Sequence, residues 1–365
     1  MRGGAWLGRT SLARRAGAVA RGISRRSLIG SALAATAAWS ARAAPSPGLD
    51  ALYQRAKSEG RLTWYIAHIA SEEAEILGRM FTRAYPGVDV AVVRATGQVV
   101  YQKLSADLRA GAKNCDVFSS TDLGHYVTLK QRGLLAAYRP LAADTLREPF
   151  RDADPSQMTQ VTNTNYTSLV YRTVAVTADE APRRWSDLTD PKWSGRIAVG
   201  HPAYSGAMGT WVYQMNKLYG WAFFEKLARN KPQVARSLVD PTTTLVSGER
   251  DIGMGPSDLI LDQAARGNPV ALRVPEDGSM LQNGPTAILK DAPHPEAAKL
   301  FVEFLLGEEA GQFAASRHRL PITALVAPKP EIAAPDRIKI IVPVAQELVK
   351  GIPEVVEKWR ETFGV

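Results

Sequence analysis

One cysteine, Cys115, stands in the 365 residues, so no internal disulfide can form and stability must come from packing. Placed just before Asp116-Val117-Phe118, it reads as a small buried residue rather than a nucleophile. Long apolar runs are missing as well. The stretch from Leu28 to Trp39 is rich in alanine and falls short of the roughly twenty residues that a bilayer-spanning helix needs. There is no Gly-x-Ser-x-Gly elbow to activate a serine and no His-x-x-x-His pair to hold a metal from one helix face. Five histidines are present; His68, His125 and His201 fall near expected strand ends without metal-ligand spacing, and His318 between Arg317 and Arg319 reads as part of a solvated basic turn.

Ser24-Arg25-Arg26-Ser27-Leu28-Ile29, the short apolar run and Ala41-Arg42-Ala43 together read as a twin-arginine export signal, cleaved near Ala43. This places the mature protein in the periplasm and makes the Tat translocase a partner during export. Residues 1–43 hold eight arginines and no acidic residue. Removing those eight from the 45 basic residues leaves 37 against 36 acidic, a net charge near +1. The basic character of the whole chain therefore belongs to the leader, and no nucleic-acid or membrane partner is indicated.

The remaining 320 or so residues suit two medium cores better than one large one. From Arg61 onward, short apolar runs alternate with helical patterns, the signal for βαβ units and mainly parallel sheets. Leu62 to Ile66 is the first strand, and Ser71 caps a helix whose Ala74, Leu77, Phe81 and Ala84 share a face until Pro86-Gly87. Val88 to Val93 is the second strand, Thr96-Gly97 leads into a helix, and Asp116 to Phe118 is the third strand before Ser120-Thr121-Asp122. A second series follows from about Tyr166. It runs through a strand at Arg196 to Val199, the loop from His201 to Gly206, a helix from Ala207, the turn from Asp240 to Thr244, and Ser257-Asp258 after a short strand. In open α/β sheets ligands sit beyond the carboxyl ends of the strands, where helix N-termini offer unpaired N–H groups.

Several segments carry a resemblance: Leu62-Thr63-Trp64-Tyr65; Cys115 to Phe118 with Gly133-Leu134-Leu135; the run from Trp185 to Ile197, with two tryptophans and Asp190-Pro191; and Ala297 to Leu306 before Gly311. The chain resembles the extracellular solute-binding proteins of bacterial ABC importers, in the branch with ferric-iron, thiamine, phosphonate and sugar-phosphate binders. The resemblance implies a two-lobed, type II periplasmic binding fold, each lobe a mainly parallel sheet flanked by helices, closing on a small solute without performing chemistry. It also implies an inner-membrane ABC permease as partner, with a membrane sensor as the alternative receiver, and a monomer without a resident cofactor or metal. The lobes are expected at 44–162 with 282–330 and at 163–281, crossing at Asn163 to Tyr171 and at Met280 to Pro285. Tail helices over 331–365 are expected to pack on the body.

Ferric members of that family hold iron with two adjacent tyrosines at a helix start, a position matched here by Ser257-Asp258. No Tyr-Tyr pair occurs in the chain, so the hard phenolate donors suited to ferric iron are missing. A small polar or anionic organic solute fits better: a phosphonate, sugar phosphate or carboxylate. The expected contacts are Tyr65, His68, Thr96, Gly97, Ser120, Thr121, Asp122, Tyr166, Tyr204, Ser205, Gly206, Ala207, Asp240, Thr242, Ser257 and Asp258. Hydroxyls and helix starts supply donors, tyrosines supply stacking faces, and the three aspartates suit helix caps or an amine on the solute. A ferric-iron carrier and an exported hydrolase stand as alternatives; no base is fixed beside Ser205 for the latter.

Overall fold

The computed structural model describes residues 47–148, 150–332 and 338–365. The export signal and its cleavage site lie outside them. The first series comprises α1 (Pro47–Glu59), β1 (Arg61–Ile66), α2 (Ser71–Ala84), β2 (Asp89–Arg94), α3 (Gly97–Arg109), β3 (Val117–Ser119) and α4 (Leu123–Gln131). After a long β4 (Gln160–Arg172) come β5 (Ala198–Gly200), α5 (Gly206–Tyr219), α6 (Ala222–Arg229), β6 (Gln233–Ala235), α7 (Asp240–Val246), β7 (Ile252–Pro256), α8 (Ser257–Ala265) and β8 (Val270–Arg273). The chain closes with β9 (Ser279–Ile288), α9 (Pro295–Leu306), α10 (Glu308–Ser316), β10 (Ile340–Ile341) and α11 (Ala345–Phe363).

β1 pairs in parallel with β2 on one side and β3 on the other, and β5 pairs in parallel with β6. β9 and β4 add antiparallel pairs, so that one sheet runs β2-β1-β3-β9-β4-β7. The two expected crossing segments form a single antiparallel ladder, from Gln160 opposite Thr286 to Thr167 opposite Met280. Each of these strands feeds two cores. Val161 and Ile288 pack with Trp64, Phe81 and Phe301, whereas Leu169, Tyr171 and Met280 pack with Trp185, Trp211, Phe224 and Trp359. Each such large side chain removed from water contributes about 1.5–3 kcal/mol, which makes the aromatic centres the chief stabilisers of both halves.

The stretch from Trp185 to Ile197 owes its residue pattern to the second core. Trp185 and Trp193 are buried, and the Trp185 indole donates to the Gly278 carbonyl at 2.8 Å. Asp190 accepts from the Lys192 N–H, and the Asn230 amide donates to the carbonyls of Leu188 and Asp190 at 2.9 Å each. Two short 3-10 turns are thereby fastened to the neighbouring chain, and Gly195 supplies the left-handed residue, φ +73, that leads into the strand.

Several boundaries differ from expectation for identifiable reasons. The cap residue of α2 is Ala70 and makes no side-chain bond, because Ser71 is already helical. α5 begins at Gly206, since Ser205 takes the cap position and accepts from the Met208 N–H. The crossing segment expected at Met280 to Pro285 is part of one longer strand, β9, which runs from Ser279 to Ile288. The tail holds one described helix, α11, which continues through Pro353 and buries Trp359 in the second core. No helix among the described residues is long and apolar enough to cross a membrane.

Candidate functional site

A cavity of about 290 Å³ opens between the two cores, lined where strands end and helices begin. Its wall takes Ala70 at the start of α2, Thr96 and Gly97 at α3, Thr121 before α4, Ser205 and Ala207 at α5, and Pro256 before α8. The floor is the β4–β9 ladder, through Asn163, Asn165, Gln282, Asn283 and Gly284. Successive residues of a strand alternate in face, so Asn163 and Asn165 point the same way. Gly284 is required here: a Cβ on it would meet the His68 ring at 2.8 Å.

His68, Thr96, Gly97, Thr121, Tyr204, Ser205, Ala207 and Asp258 are brought together in this lining. The other eight expected contacts lie elsewhere. Tyr65 gives its hydroxyl to Asp107 at 2.7 Å beneath the sheet edge, and both burial and that carboxylate push its pKa up. Ser120 bonds His125 Nδ1 at 2.9 Å and is fully buried. Asp122 caps α4, accepting from the Gly124 N–H at 2.9 Å and from Gln98 Nε2 at 3.0 Å. Tyr166 and Ser257 share a separate void of about 10 Å³, where the Tyr166 N–H donates to Ser257 Oγ. Asp240 accepts from the Ser237 N–H, three residues upstream. Thr242 is buried against Gly255, and Gly206 packs its main chain on Asp122. Tyr65, Ser120, Asp122, Ser257 and Asp240 thus spend polar atoms on local caps or core contacts, whereas the Thr242 hydroxyl is buried without a hydrogen-bond partner.

Two arginines that sequence reasoning missed dominate the electrostatics. Arg94 ends β2 and lines the cavity; its Nε donates to the Ile69 carbonyl at 3.0 Å, and among the described residues no carboxylate is within ion-pair distance. Desolvation pulls its pKa down, opposed by the more distant Asp240, although the residue as a whole is exposed. It remains charged. Arg319 is 4% exposed, which corrects the expectation of a solvated basic turn. Its guanidinium pairs with Asp258 at 2.9 Å, donates to Asn163 Oδ1 at 3.2 Å, and pairs closely with Glu73. Arg317 lines the cavity and stands 3.7 Å from Glu73. His318 is held at φ +56 with Nδ1 3.0 Å from Glu331. Burial raises the Asp258 pKa, with Glu73 adding to it and Arg319 opposing it.

Three lining side chains hold unused hydrogen-bonding atoms, Asp258 through Oδ1. Neither ring nitrogen of His68 has a protein partner, and neither does Asn165 Oδ1. His68 is partly exposed as a residue, yet both nitrogens are shut off from solvent. Desolvation, with Arg319 and Arg94 nearby, lowers its pKa to about 3, so the imidazole is neutral. At the mouth, Tyr204 is 46% exposed, with the Arg236 guanidinium 5.7 Å from its ring centre. Among the described residues no group of three or more His, Cys, Asp or Glu could hold a metal ion.

Two cores joined by crossing strands, with a cavity between them lined by helix starts and asparagines, have the architecture of a two-lobed binding protein. The family model for bacterial extracellular solute-binding proteins matches residues 113–348, and the chain belongs to that family. It is a binding protein, not an enzyme, and its family works outside the cytoplasm. An uncharacterized protein of Haemophilus influenzae is 26% identical over 277 residues, which are 71% of this chain and 76% of that one. The periplasmic binding protein AfuA of Actinobacillus pleuropneumoniae, solved with fructose 6-phosphate, superposes with a TM-score of 0.75 at 24% identity, covering 84% of this chain and 99% of AfuA. Iron-bound HitA of Pseudomonas aeruginosa gives 0.71 at 20% identity, covering 83% and 99%. At such identities the likeness of these two structures is one of fold.

Proposed function

We propose that the chain is the substrate-binding component of an ABC importer that captures a small anionic organic solute, such as a phosphonate, sugar phosphate or carboxylate, by lobe closure. The observation that carries this reading is the convergence, on one cavity, of Arg94 without a carboxylate partner and the starts of α2, α3, α5 and α8. Unpaired N–H groups, the positive ends of helices and a guanidinium all favour an anion. The acceptors in the same lining, Asn165 Oδ1 and the neutral His68 ring, suit hydroxyl or amine donors on the solute body. The lobes proposed are 44–162 with 282–330 and 163–281, supported by the two strands that pass from one core to the other. The expected monomer, Tat export, cleavage near Ala43 and delivery to an inner-membrane permease complete the proposal.

Iron is the weaker reading, because Asp258, at the helix start where ferric carriers place tyrosines, is engaged by Arg319. The test is native mass spectrometry with elemental analysis on protein purified from its own periplasm, before and after denaturation. An organic anion released at one per chain without metal is expected. Stoichiometric iron would overturn the proposal.

A further inference from the structure

We infer that Gly206 sets whether the cleft can close, because the bare first residue of α5 meets the start of α4 there, beside the packing of Leu348 and Ile352 of α11 on Leu123. This rests on the lobe-closure reading above. α4 packs through Tyr126 and Leu129 with Tyr65 and Phe118, while α5 packs through Ala207, Met208 and Trp211 with Trp185 and Phe224. The starts of these two helices meet. A Cβ built on Gly206 would lie 2.5 Å from Asp122 Cβ and 2.8 Å from both its Cα and its N. Main-chain atoms cannot rotate away as a side-chain tip can. Asp122 is further fixed by its cap bond to Gly124 and its bond from Gln98. Gly206 is itself buried, and Gly97 of α3 also approaches it, its would-be Cβ reaching the Gly206 N at 4.0 Å. Even one methyl group therefore has no room unless the two helix starts separate. Within α5 the same methyl is harmless, since alanine favours helix more than glycine does. The site thus separates fold from motion: Gly206→Ala spares the first and opposes the second.

The experiment places spin labels at Val174→Cys and Leu325→Cys, exposed by 69% and 58% on the two sides, with buried Cys115 left in place. Distance distributions are compared for the otherwise native chain, Gly206→Ala and Gly206→Val. The expected result is a short-distance population in the native chain whose ratio to the long-distance one falls by roughly tenfold or more in Gly206→Ala and further in Gly206→Val, with melting temperatures held. Unchanged distributions in both variants would overturn the inference, as would a native chain with only the long distance. Should that native chain still yield an organic anion by native mass spectrometry, the solute assignment survives and this inference alone fails.

Discussion

Arg94 and Arg319 belong to the same cleft and have opposite circumstances. Arg319 is sealed beneath the floor and surrounded by Asp258, Glu73 and Asn163, so its charge is spent inside the protein. Arg94 stands at a strand end with one carbonyl for company, so its charge is available to whatever enters. A buried ion network fixes shape, because removing one member strands the others without water. A solitary cation in a partly desolvated cleft costs little to lose from the fold and much to lose from binding. The same residue type thus separates framework from ligand contact according to who neutralises it.

The sharpest break of this comparison is Arg319→Met. Leaving the half-buried Asp258 without a cation and Glu73 with Arg317 alone should cost up to about 3–5 kcal/mol, read from the urea midpoint, and adding Glu73→Gln and Asp258→Asn should recover most of it. A single variant as stable as the native chain would show the network to be dispensable. Arg94→Ala should move stability by no more than about 0.5 kcal/mol while weakening the captured anion by about 1.5–3 kcal/mol in calorimetry. Equal affinity would remove Arg94 from the site. Near neutral pH the smallest effect concerns His68, whose pKa falls from 6.5 to about 3 on folding. The unfolded chain takes up its proton below pH 6.5 and the folded chain does not until about pH 3. The contribution is therefore whole above 6.5 and is lost as pH falls between these values, at no more than about 1.4 kcal/mol per pH unit. His68→Gln should flatten the stability profile in that window.

Periodicity made most of the framework legible. β1, α2, β2 and α3 follow from apolar spacing and Gly or Pro stops, whereas the crossing segments were expected only from the family resemblance. The site was half legible. Strand-end logic reaches Thr96, Gly97, Thr121 and Ser205, but cannot distinguish a polar atom left for a ligand from one consumed by a cap. Asp122 and Asp240 look alike in sequence to Thr96, yet Asp122 spends its carboxylate on Gly124 and Gln98, whereas Thr96 makes no cap bond. Arg94 was within reach of the same logic as the last residue of a strand. Asn163 and Asn165 were within reach of strand alternation. Arg319 was not: its burial depends on Glu73 and Asp258, distant in sequence, and a basic Arg-His-Arg triplet reads as solvated.

The last helix has a consequence for how the chain is made. α11 lays Trp359 among Trp211 and Phe224, ties Glu347 to Lys217 and Thr362 to Trp221, and packs Leu348 and Ile352 near Leu123 of α4. These partners leave the ribosome long before α11 does. The second core therefore stays open until α11 has been made, and its completion follows the synthesis of every other described element. A chain released before Ala345 would present an uncovered aromatic face to chaperones and proteases rather than a finished protein.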